Sequence, residues 1–292
     1  MTPTAHTLEG RTLIMSGGSR GIGEAIAVRA ARDGANIALI AKTTEPHPRL
    51  PGTIFTAAAA IEAAGGHALP IIGDIRDDEA VATAVDRTVE QFGGIDIVIN
   101  NASALDLTRA EHISMKKYDL MQDINARGAF LLTKTALPHL RRSPNAHVLT
   151  LSPPIDLDPT WFDTIGTAYT ISKFSMTLVT LGLSAELRPD NIAVNSLWPR
   201  TTIATAAVRN ILSENLIARS RTPEIMAEAA ASILSKPVST ATGQCFIDDE
   251  VLAADGIDDL SRYRTEPGSE QLGLDFWMTW PDPSAETEPA NH

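Results

Sequence analysis

The chain has almost no cysteine: Cys245 is the single one in 292 residues. An intramolecular disulfide is therefore impossible, which favours a reducing compartment. Long apolar runs are also lacking, so the sequence predicts no membrane span. The first ten residues do not combine a basic segment with an apolar stretch as a signal peptide does. We therefore expect a cytoplasmic protein.

Positive charge is scarce as well, because 24 Lys and Arg residues against 36 Asp and Glu residues give a net charge of -12. Nucleic acid and anionic membranes would be repelled, so neither is expected as a partner. The histidines are scattered without metal-ligand spacing, and we predict no metal site. The remaining composition, 43% hydrophobic and 21% charged residues, is ordinary for a globular α/β enzyme.

Short apolar runs alternate with longer helical patterns, which is typical of βαβ units in a parallel sheet with helices on both faces. The expected strands are 11–16, 36–41, 67–73, 95–99, 146–152, 192–198 and 244–248. The expected helices include 24–33, 79–92, 128–141, 168–187 and 205–219. We predict one doubly wound, Rossmann-type α/β domain over residues 8–256 and a C-terminal tail, 257–292, packed on it by Phe276, Trp277 and Trp280.

A glycine-rich turn, residues 16–23 with the sequence SGGSRGIG, joins the first expected strand to an Ala-rich helix. Gly17, Gly21 and Gly23 would let the backbone approach a pyrophosphate, while the helix N-terminus supplies free amides and a positive dipole end. A flexible turn without a ligand is the alternative. The strand before the turn and the helix after it favour a dinucleotide site.

Tyr169 and Lys173 lie four residues apart in an expected helix, so their side chains project from one face. A neighbouring cation favours phenolate, and we expect Lys173 to lower the pKa of Tyr169 so that it exchanges a proton with a substrate. A solvated surface pair has the same spacing. The glycine-rich turn upstream favours the catalytic interpretation.

The end of the second strand bears on the choice between NAD and NADP. An acid there would bind the ribose hydroxyls of NAD, whereas the phosphate of NADP needs a positive group. The strand ends at Ala41 and Lys42 without a carboxylate, and Lys42 with Arg20 offers two cations near the expected phosphate. We predict NADP(H) in preference to NAD; an ordinary loop lysine is the alternative for Lys42.

In their order, these motifs resemble the short-chain dehydrogenase/reductase family over residues 8–256. The glycine-rich turn is similar to the family's GxxxGxG, residues 100–103 to its NNAG with Ser103 in place of the last glycine, and Tyr169 with Lys173 to its YxxxK. Segments 41–43, 151–154 and 197–200 narrow the resemblance to the hydroxysteroid-dehydrogenase-like subfamily, here without a sterol-carrier domain.

The resemblance implies an oxidoreductase that interconverts a carbonyl and an alcohol, with Tyr169, Lys173, Asn125 and Ser152 as catalytic residues. Tyr169 would pass a proton to the substrate oxygen, Lys173 would hold the nicotinamide ribose, and Asn125 would anchor a water molecule for proton relay. The implied cofactor-binding residues are Gly17, Ser19, Arg20, Gly21, Ile22, Gly23, Lys42, Asp74, Ile75, Asn101, Ala102, Ser103, Tyr169, Lys173, Pro199 and Ile203.

The serine position departs from the family pattern. In the family's register Pro153 occupies the place of the substrate-contacting serine, and Ser152 lies one residue early. Because strand side chains alternate between faces, Ser152 would point away from the site unless Pro153 and Pro154 bend the chain. Ser152 either contacts the substrate or leaves the oxygen to another group. The other candidates for that contact are Tyr169 alone, Asn101 and Thr150.

Trp161 and Phe162 lie in the loop before Tyr169, and family position suggests that they form an apolar wall for a lipophilic carbonyl or alcohol. Packing beneath the loop is the alternative. Arg200 replaces a family glycine, so we expect segment 200–220 to differ from typical relatives and to act as a mobile substrate lid.

The resemblance also implies a homodimer or homotetramer formed through the helices near 115–142 and 168–188.

The competing function is a noncatalytic dinucleotide sensor of the same fold. Such a sensor would have no need for Tyr169, Lys173 and Asn125 together.

Overall fold

The computed structural model describes residues 7–48, 50–266 and 271–281. Its centre is a parallel sheet of seven strands. The strands are β1 Thr12–Ser16, β2 Asn36–Ala41, β3 His67–Ile72, β4 Ile97–Asn100, β5 Ala146–Thr150, β6 Ile192–Trp198 and β7 Cys245–Ile247. Their order across the sheet is β3-β2-β1-β4-β5-β6-β7.

Helices cover both faces of the sheet. The α-helices are α1 Gly21–Arg32, α2 Ile54–Ala63, α3 Asp78–Phe92, α4 Met115–Gln122, α5 Gly128–Leu140, α6 Pro159–Ile165, α7 Thr167–Glu186, α8 Glu214–Ile217, α9 Glu224–Ser235 and α10 Asp248–Ala254. Two π-helical turns are Asp123–Arg127 and Val208–Leu212, and two 3-10 turns are Arg188–Asp190 and Ser261–Tyr263. Within the described ranges no helix is long and apolar enough to cross a membrane.

The core consists of two apolar layers separated by the sheet. The side chains of β1 alternate between them: Leu13 and Met15 belong to the layer under α1 and α9, and Ile14 belongs to the layer under α3 and α5. All five residues of β1 are buried. A strand buried on both faces reads as a continuous apolar run, which is why the sequence pattern located it.

The predicted doubly wound α/β fold is confirmed, and the strand bounds agree with the expected ones to within two residues. The expected helix 205–219 is not continuous, because it is interrupted at Ser213. The chain forms the π-helical turn Val208–Leu212 and then the short helix α8, because Ser213 is extended at φ -172 and caps α8 by accepting from the N–H of Asn215. A serine that competes for backbone hydrogen bonds is favoured at a helix start, not in its interior.

The strand order reverses between β1 and β4, where Ser16 pairs with Asn100. The chain leaves β1 toward β2 on one side of this point and proceeds from β4 toward β5 on the other. Loops therefore diverge at the carboxyl ends of β1 and β4, and a crevice opens there, the place at which doubly wound sheets bind ligands.

Candidate active site

A cavity of about 1080 Å³ opens at the carboxyl ends of β1 to β6. This volume is slightly above the roughly 300–1,000 Å³ typical of ligand pockets. Most of the predicted site residues line it. They are Gly17, Ser19, Arg20, Gly21, Ile22, Lys42, Asp74, Ile75, Asn101, Ala102, Ser103, Tyr169 and Lys173. The other predicted residues, all of them described, lie outside the lining: Gly23, Asn125, Ser152, Trp161, Phe162, Pro199 and Ile203.

The glycine-rich turn is packed directly on the loop that follows β4. Gly17 has φ +75, and a Cβ there would lie 2.7 Å from the Cα of Ala102. A Cβ at Gly23 would lie 2.5 Å from Nδ2 of Asn101. Gly17 therefore needs both its positive φ and its missing side chain, and Gly23 is required for packing against Asn101.

Asn101 and Ser16 fasten this loop to the turn. Nδ2 of Asn101 donates to the carbonyl oxygen of Gly17 at 2.8 Å. The hydroxyl oxygen of Ser16 accepts from the backbone N–H groups of Asn101 and Ala102 at 3.2 and 3.1 Å. The floor of the cavity is thus held by side-chain hydrogen bonds to backbone groups.

The N-terminus of α1 faces the cavity without a side-chain cap. Arg20 occupies the N-cap position but makes no capping hydrogen bond, and its guanidinium donates instead to the carbonyls of Pro51 and Gly52 at 3.2 and 2.8 Å. The first amides of a helix lack intrahelical partners, and they carry the positive end of its dipole. Uncapped amides beside side-chain-free glycines fit the pyrophosphate of a dinucleotide.

A cluster of charges lines the other rim of the cavity. Asp74 accepts from Lys42 at 2.9 Å and from Arg76 at 2.7 Å. The hydrogen bond from Arg76 is the largest cause that holds the pKa of Asp74 well below its usual range. The carboxylate is thus neutralised by two cations. Lys42 lines the cavity, where it is paired with Asp74 and half exposed.

Lys173 is buried at the opposite end of the cavity. Its ammonium donates to the carbonyl oxygen of Leu151, just after β5, at 2.5 Å and lies 4.8 Å from the ring centroid of Trp198 at the end of β6. Burial lowers the pKa of Lys173 to about 7, although the carboxylate of Asp275 opposes this change. The positive charge of Lys173 is therefore less stable here than in water.

Tyr169 lines the same end and is only 6% exposed. Burial and the nearby Asp275 carboxylate raise the pKa of its hydroxyl, while a side-chain hydrogen bond from Ser103 lowers it. The expectation that Lys173 lowers this pKa below its ordinary value is therefore wrong for this structure. The physical reason is that burial penalises phenolate, and the acid near Tyr169 disfavours it further.

A C-terminal strap, residues 271–281, forms a wall of this end of the cavity. Its Leu274 bridges Thr201 in an antiparallel sense, and the N–H of Asp275 donates to the carbonyl of Arg200 at 3.0 Å. The ring of Trp277 stacks on Tyr169 with centroids 6.0 Å apart. The aromatics predicted to pack the tail include Trp277, which is buried, and Trp280, which is 47% exposed.

Arg200 anchors the strap to α10. Its guanidinium donates to both carboxylate oxygens of Asp249 at 2.9 and 2.8 Å, to Glu250, and to the carbonyl of Thr279 at 2.8 Å. The backbone N–H of Arg200 donates to Asp248 at 2.9 Å. Residues 248–250 form the first turn of α10 and are the partners of Arg200.

Asn125 lies in the π-helical turn Asp123–Arg127 and is fully buried. Its amide oxygen accepts from the N–H of Ala104 at 2.7 Å, and its amide nitrogen donates to the carbonyl of Ala104 at 3.0 Å and to Ser172 at 2.9 Å. The side chain thus connects the loop after β4 to the residue next to Lys173.

The predicted substrate residues lie behind the cavity wall. The hydroxyl of Ser152 is buried and accepts from Thr177 of α7 at 2.9 Å. The indole N–H of Trp161 donates to Asp156 at 2.7 Å, and Phe162 packs edge-on against Phe174 with centroids 6.4 Å apart. These contacts are with the loop and with α7.

Sequence reasoning did not predict that Asp275, Phe276 and Trp198 line the Tyr169 end of the cavity. The aromatic content of the tail indicated that it packs back, but nothing in the local sequence indicated against which surface. Trp198 was noted as part of a motif, and its contact with Lys173 depends on how far β6 extends.

Comparisons with known proteins agree with this geometry. The profile described as short chain dehydrogenase matches residues 11–216. Hydroxysteroid dehydrogenase-like protein 2 of Xenopus tropicalis is 51% identical over 278 residues, which are 95% of this chain and 66% of the relative. The human protein of that name is 46% identical, with the same two coverages. The chain thus spans about two thirds of the length of these curated relatives.

Two solved structures are similar over their whole length. A putative dehydrogenase from Xanthomonas campestris is 50% identical with a TM-score of 0.88 and covers 94% of this chain. A short chain dehydrogenase of Mycobacterium thermoresistibile is 54% identical with a TM-score of 0.89 and covers 97%. The chain belongs to the short-chain dehydrogenase/reductase family, in its hydroxysteroid-dehydrogenase-like subfamily.

Proposed function

We propose that the protein is an NADP(H)-dependent oxidoreductase that interconverts a carbonyl and an alcohol, with Tyr169 as the general acid and base. One observation carries the proposal: Tyr169 and Lys173 line the same cavity as the glycine-rich turn and the uncapped N-terminus of α1. A dinucleotide held at its pyrophosphate by the turn and α1 has room to extend toward these two side chains.

A bound nicotinamide supplies or accepts the hydride. In the direction of reduction Tyr169 gives its proton to the carbonyl oxygen, and in oxidation it takes the proton from the alcohol. Lys173, whose ammonium lies between the carbonyl of Leu151 and the ring of Trp198, supplies positive charge beside the reacting end. Asn125 acts through its contacts with Ala104 and Ser172, which hold the loop and α7 in place.

The substrate is proposed to be lipophilic. The reactive end of the cavity presents the apolar side chains of Leu105, Leu151, Trp198 and Phe276. Residues 204–209 of the proposed lid segment also line the cavity. Apolar walls with few polar groups favour a ligand that offers one carbonyl or hydroxyl to Tyr169 and hydrocarbon elsewhere.

A noncatalytic dinucleotide sensor is the second candidate, and the burial of Tyr169 against the ring of Trp277 favours it. Both candidates require cofactor binding. Only the enzyme oxidises NADPH when a carbonyl compound is added.

The proposed location is the cytoplasm, on the basis of the single cysteine. The proposed assembly is a homodimer or homotetramer. Exposed apolar side chains on α5 and α7, namely Phe130 at 44%, Ile171 at 40% and Leu178 at 58%, support burial of these helices against another copy.

The central prediction concerns Tyr169→Phe. This change removes the only proton that the proposal assigns to the substrate oxygen, so turnover should fall by about 100-fold or more, while NADPH binding is unchanged. The assay follows nicotinamide absorbance with a panel of aldehydes and ketones, and fluorescence titration gives the cofactor affinity. Tyr118→Phe, which alters a tyrosine outside the cavity lining, is the matched control. Full activity in Tyr169→Phe would exclude the proposed acid.

Cofactor choice is tested with Lys42→Ala. If Lys42 binds the 2′-phosphate, the dissociation constant of NADPH should rise about 10-fold, the value of one charged hydrogen bond, whereas that of NADH should hardly change. Arg76 still pairs with Asp74 in this variant, which limits the disturbance. Lys116→Ala removes an exposed lysine of α4 as the control. Tighter binding of NADH than of NADPH by the unaltered protein would contradict the proposed preference.

The acid of the strap is tested with Asp275→Asn. The carboxylate raises the pKa of both Lys173 and Tyr169, so its loss should lower both. Lys173 then loses its charge at a lower pH, and the alkaline fall of kcat/KM should move to lower pH. Asp163→Asn, at an exposed acid of α6 that pairs with Arg109 outside the cavity lining, should leave the profile in place. An unchanged or upward-shifted alkaline limb in Asp275→Asn would refute this assignment.

Assembly is tested with Leu178→Glu, which introduces a charge on the exposed face of α7. The charge should weaken the contact between copies, and sedimentation velocity should show a smaller species than for the unaltered protein. Leu157→Glu, in the loop before α6 at an equally apolar exposed site, should not change the sedimentation coefficient. A monomeric unaltered protein would overturn the proposed assembly.

A further inference from the structure

Ser103 occupies the position next to the reacting hydroxyl. It is exposed within the cavity lining, at the carboxyl end of β4, and its side chain hydrogen-bonds Tyr169. A serine hydroxyl has one proton to donate and two lone pairs. Ser103 and Tyr169 therefore face the same cavity, where a substrate oxygen that Tyr169 protonates would also lie.

The backbone on both sides of Ser103 is held. The N–H of Ala102 donates to the hydroxyl of Ser16 at 3.1 Å. Both backbone groups of Ala104 are bonded to the amide of Asn125, at 2.7 and 3.0 Å. A hydroxyl carried between two fixed residues needs little reorganisation when charge develops on a neighbouring oxygen.

The other candidates for contact with the substrate oxygen are engaged elsewhere. Ser152 is buried against Thr177, outside the cavity lining. Thr150 is buried and accepts from Asn100 at 3.3 Å. The amide nitrogen of Asn101 donates to the carbonyls of Ser16 and Gly17 at 3.3 and 2.8 Å. Ser103, which sequence analysis gave only a cofactor-binding role, carries a hydroxyl that is exposed in the cavity beside Tyr169.

We propose that Ser103 is a catalytic residue that donates a hydrogen bond to the substrate's carbonyl oxygen beside Tyr169. This inference rests on the proposed function. During reduction the hydride forms the new C–H bond, the C=O π bond breaks onto oxygen, and that oxygen takes the proton of Tyr169. Ser103 keeps its proton throughout, and its hydrogen bond stabilises first the oxygen and then the phenolate. Because this hydrogen bond is made to the carbonyl oxygen, Ser103 assists the reduction of aldehydes and ketones alike, whatever hydrocarbon groups they carry.

The kinetic experiment compares Ser103→Ala, Ser103→Gly and Ser103→Thr, with NADPH and phenanthrenequinone, decanal and acetophenone as probes. Removal of a hydrogen-bond donor to the substrate oxygen lowers kcat by a factor of roughly 10²–10³. The Ser103→Ala and Ser103→Gly variants should therefore have a kcat about 100-fold lower, with a smaller change in KM. Thr retains a hydroxyl and should recover most of the activity. Ser239→Ala, at an exposed turn, is the matched control for loss of a serine hydroxyl. Thermal melting of each variant separates a folding defect from a chemical one.

A second readout does not need turnover. With tyrosine labelled by ¹³C at Cζ, the protein gives three signals, from Tyr118, Tyr169 and Tyr263, and Tyr169→Phe identifies one of them. Ser103→Ala should shift the Tyr169 signal because a hydrogen bond to its oxygen is lost, whereas Ser152→Ala should not.

These experiments distinguish failure of the Ser103 proposal from failure of the proposed function. If Tyr169→Phe abolishes turnover but Ser103→Ala retains it and leaves the Tyr169 signal unmoved, the role of Ser103 is wrong and the enzyme stands. If kcat falls strongly in Ser152→Ala and is unchanged in Ser103→Ala, then Ser152 and not Ser103 donates the hydrogen bond to the substrate oxygen. If Tyr169→Phe is fully active, the proposed function itself fails.

Discussion

One ammonium buried at the carboxyl ends of the strands constrains the end of the cavity that Tyr169 lines. Removing Lys173 from water is costly unless nearby groups compensate. The compensation comes from the carbonyl of Leu151 after β5, the ring of Trp198 at the end of β6, and the carboxylate of Asp275 in the C-terminal strap. Helix α7, two strand ends and the strap therefore depend on one another through a single charge, and Tyr169 is positioned with them one helical turn away.

The sheet could be predicted from the sequence because its strands are buried on both faces and are separated by glycine turns. In β1, Leu13, Ile14 and Met15 are fully buried, and burial of this kind leaves an apolar run that a single sequence displays. The path of the strap could not be predicted in this way. Its hydrogen bonds join Asp275 to Arg200 across 75 positions of the chain, and no local pattern encodes a partner so distant.

The candidate site shows the same division between local and distant information. The positions of Gly17, Tyr169 and Lys173 in the cavity follow from motif spacing and strand direction. The ionisation of Tyr169 does not, because it depends on burial beneath Trp277 and on Asp275, which only the fold brings near. The alternation of side chains along a strand indicated that Ser152 would point away from the site. Its hydrogen bond with Thr177 could not be predicted in this way, because Thr177 belongs to another element.

The two ends of the cavity differ in how they respond to ionic strength. Lys42 and Asp74 meet at the surface, where added salt screens their attraction. Arg200 and Asp249 meet with side-chain exposures of 6% and 15%, so dissolved ions hardly reach the pair that fastens the strap. Added salt therefore weakens the ion pair at the Lys42 end of the cavity more than the ion pair that fastens the wall beside Tyr169.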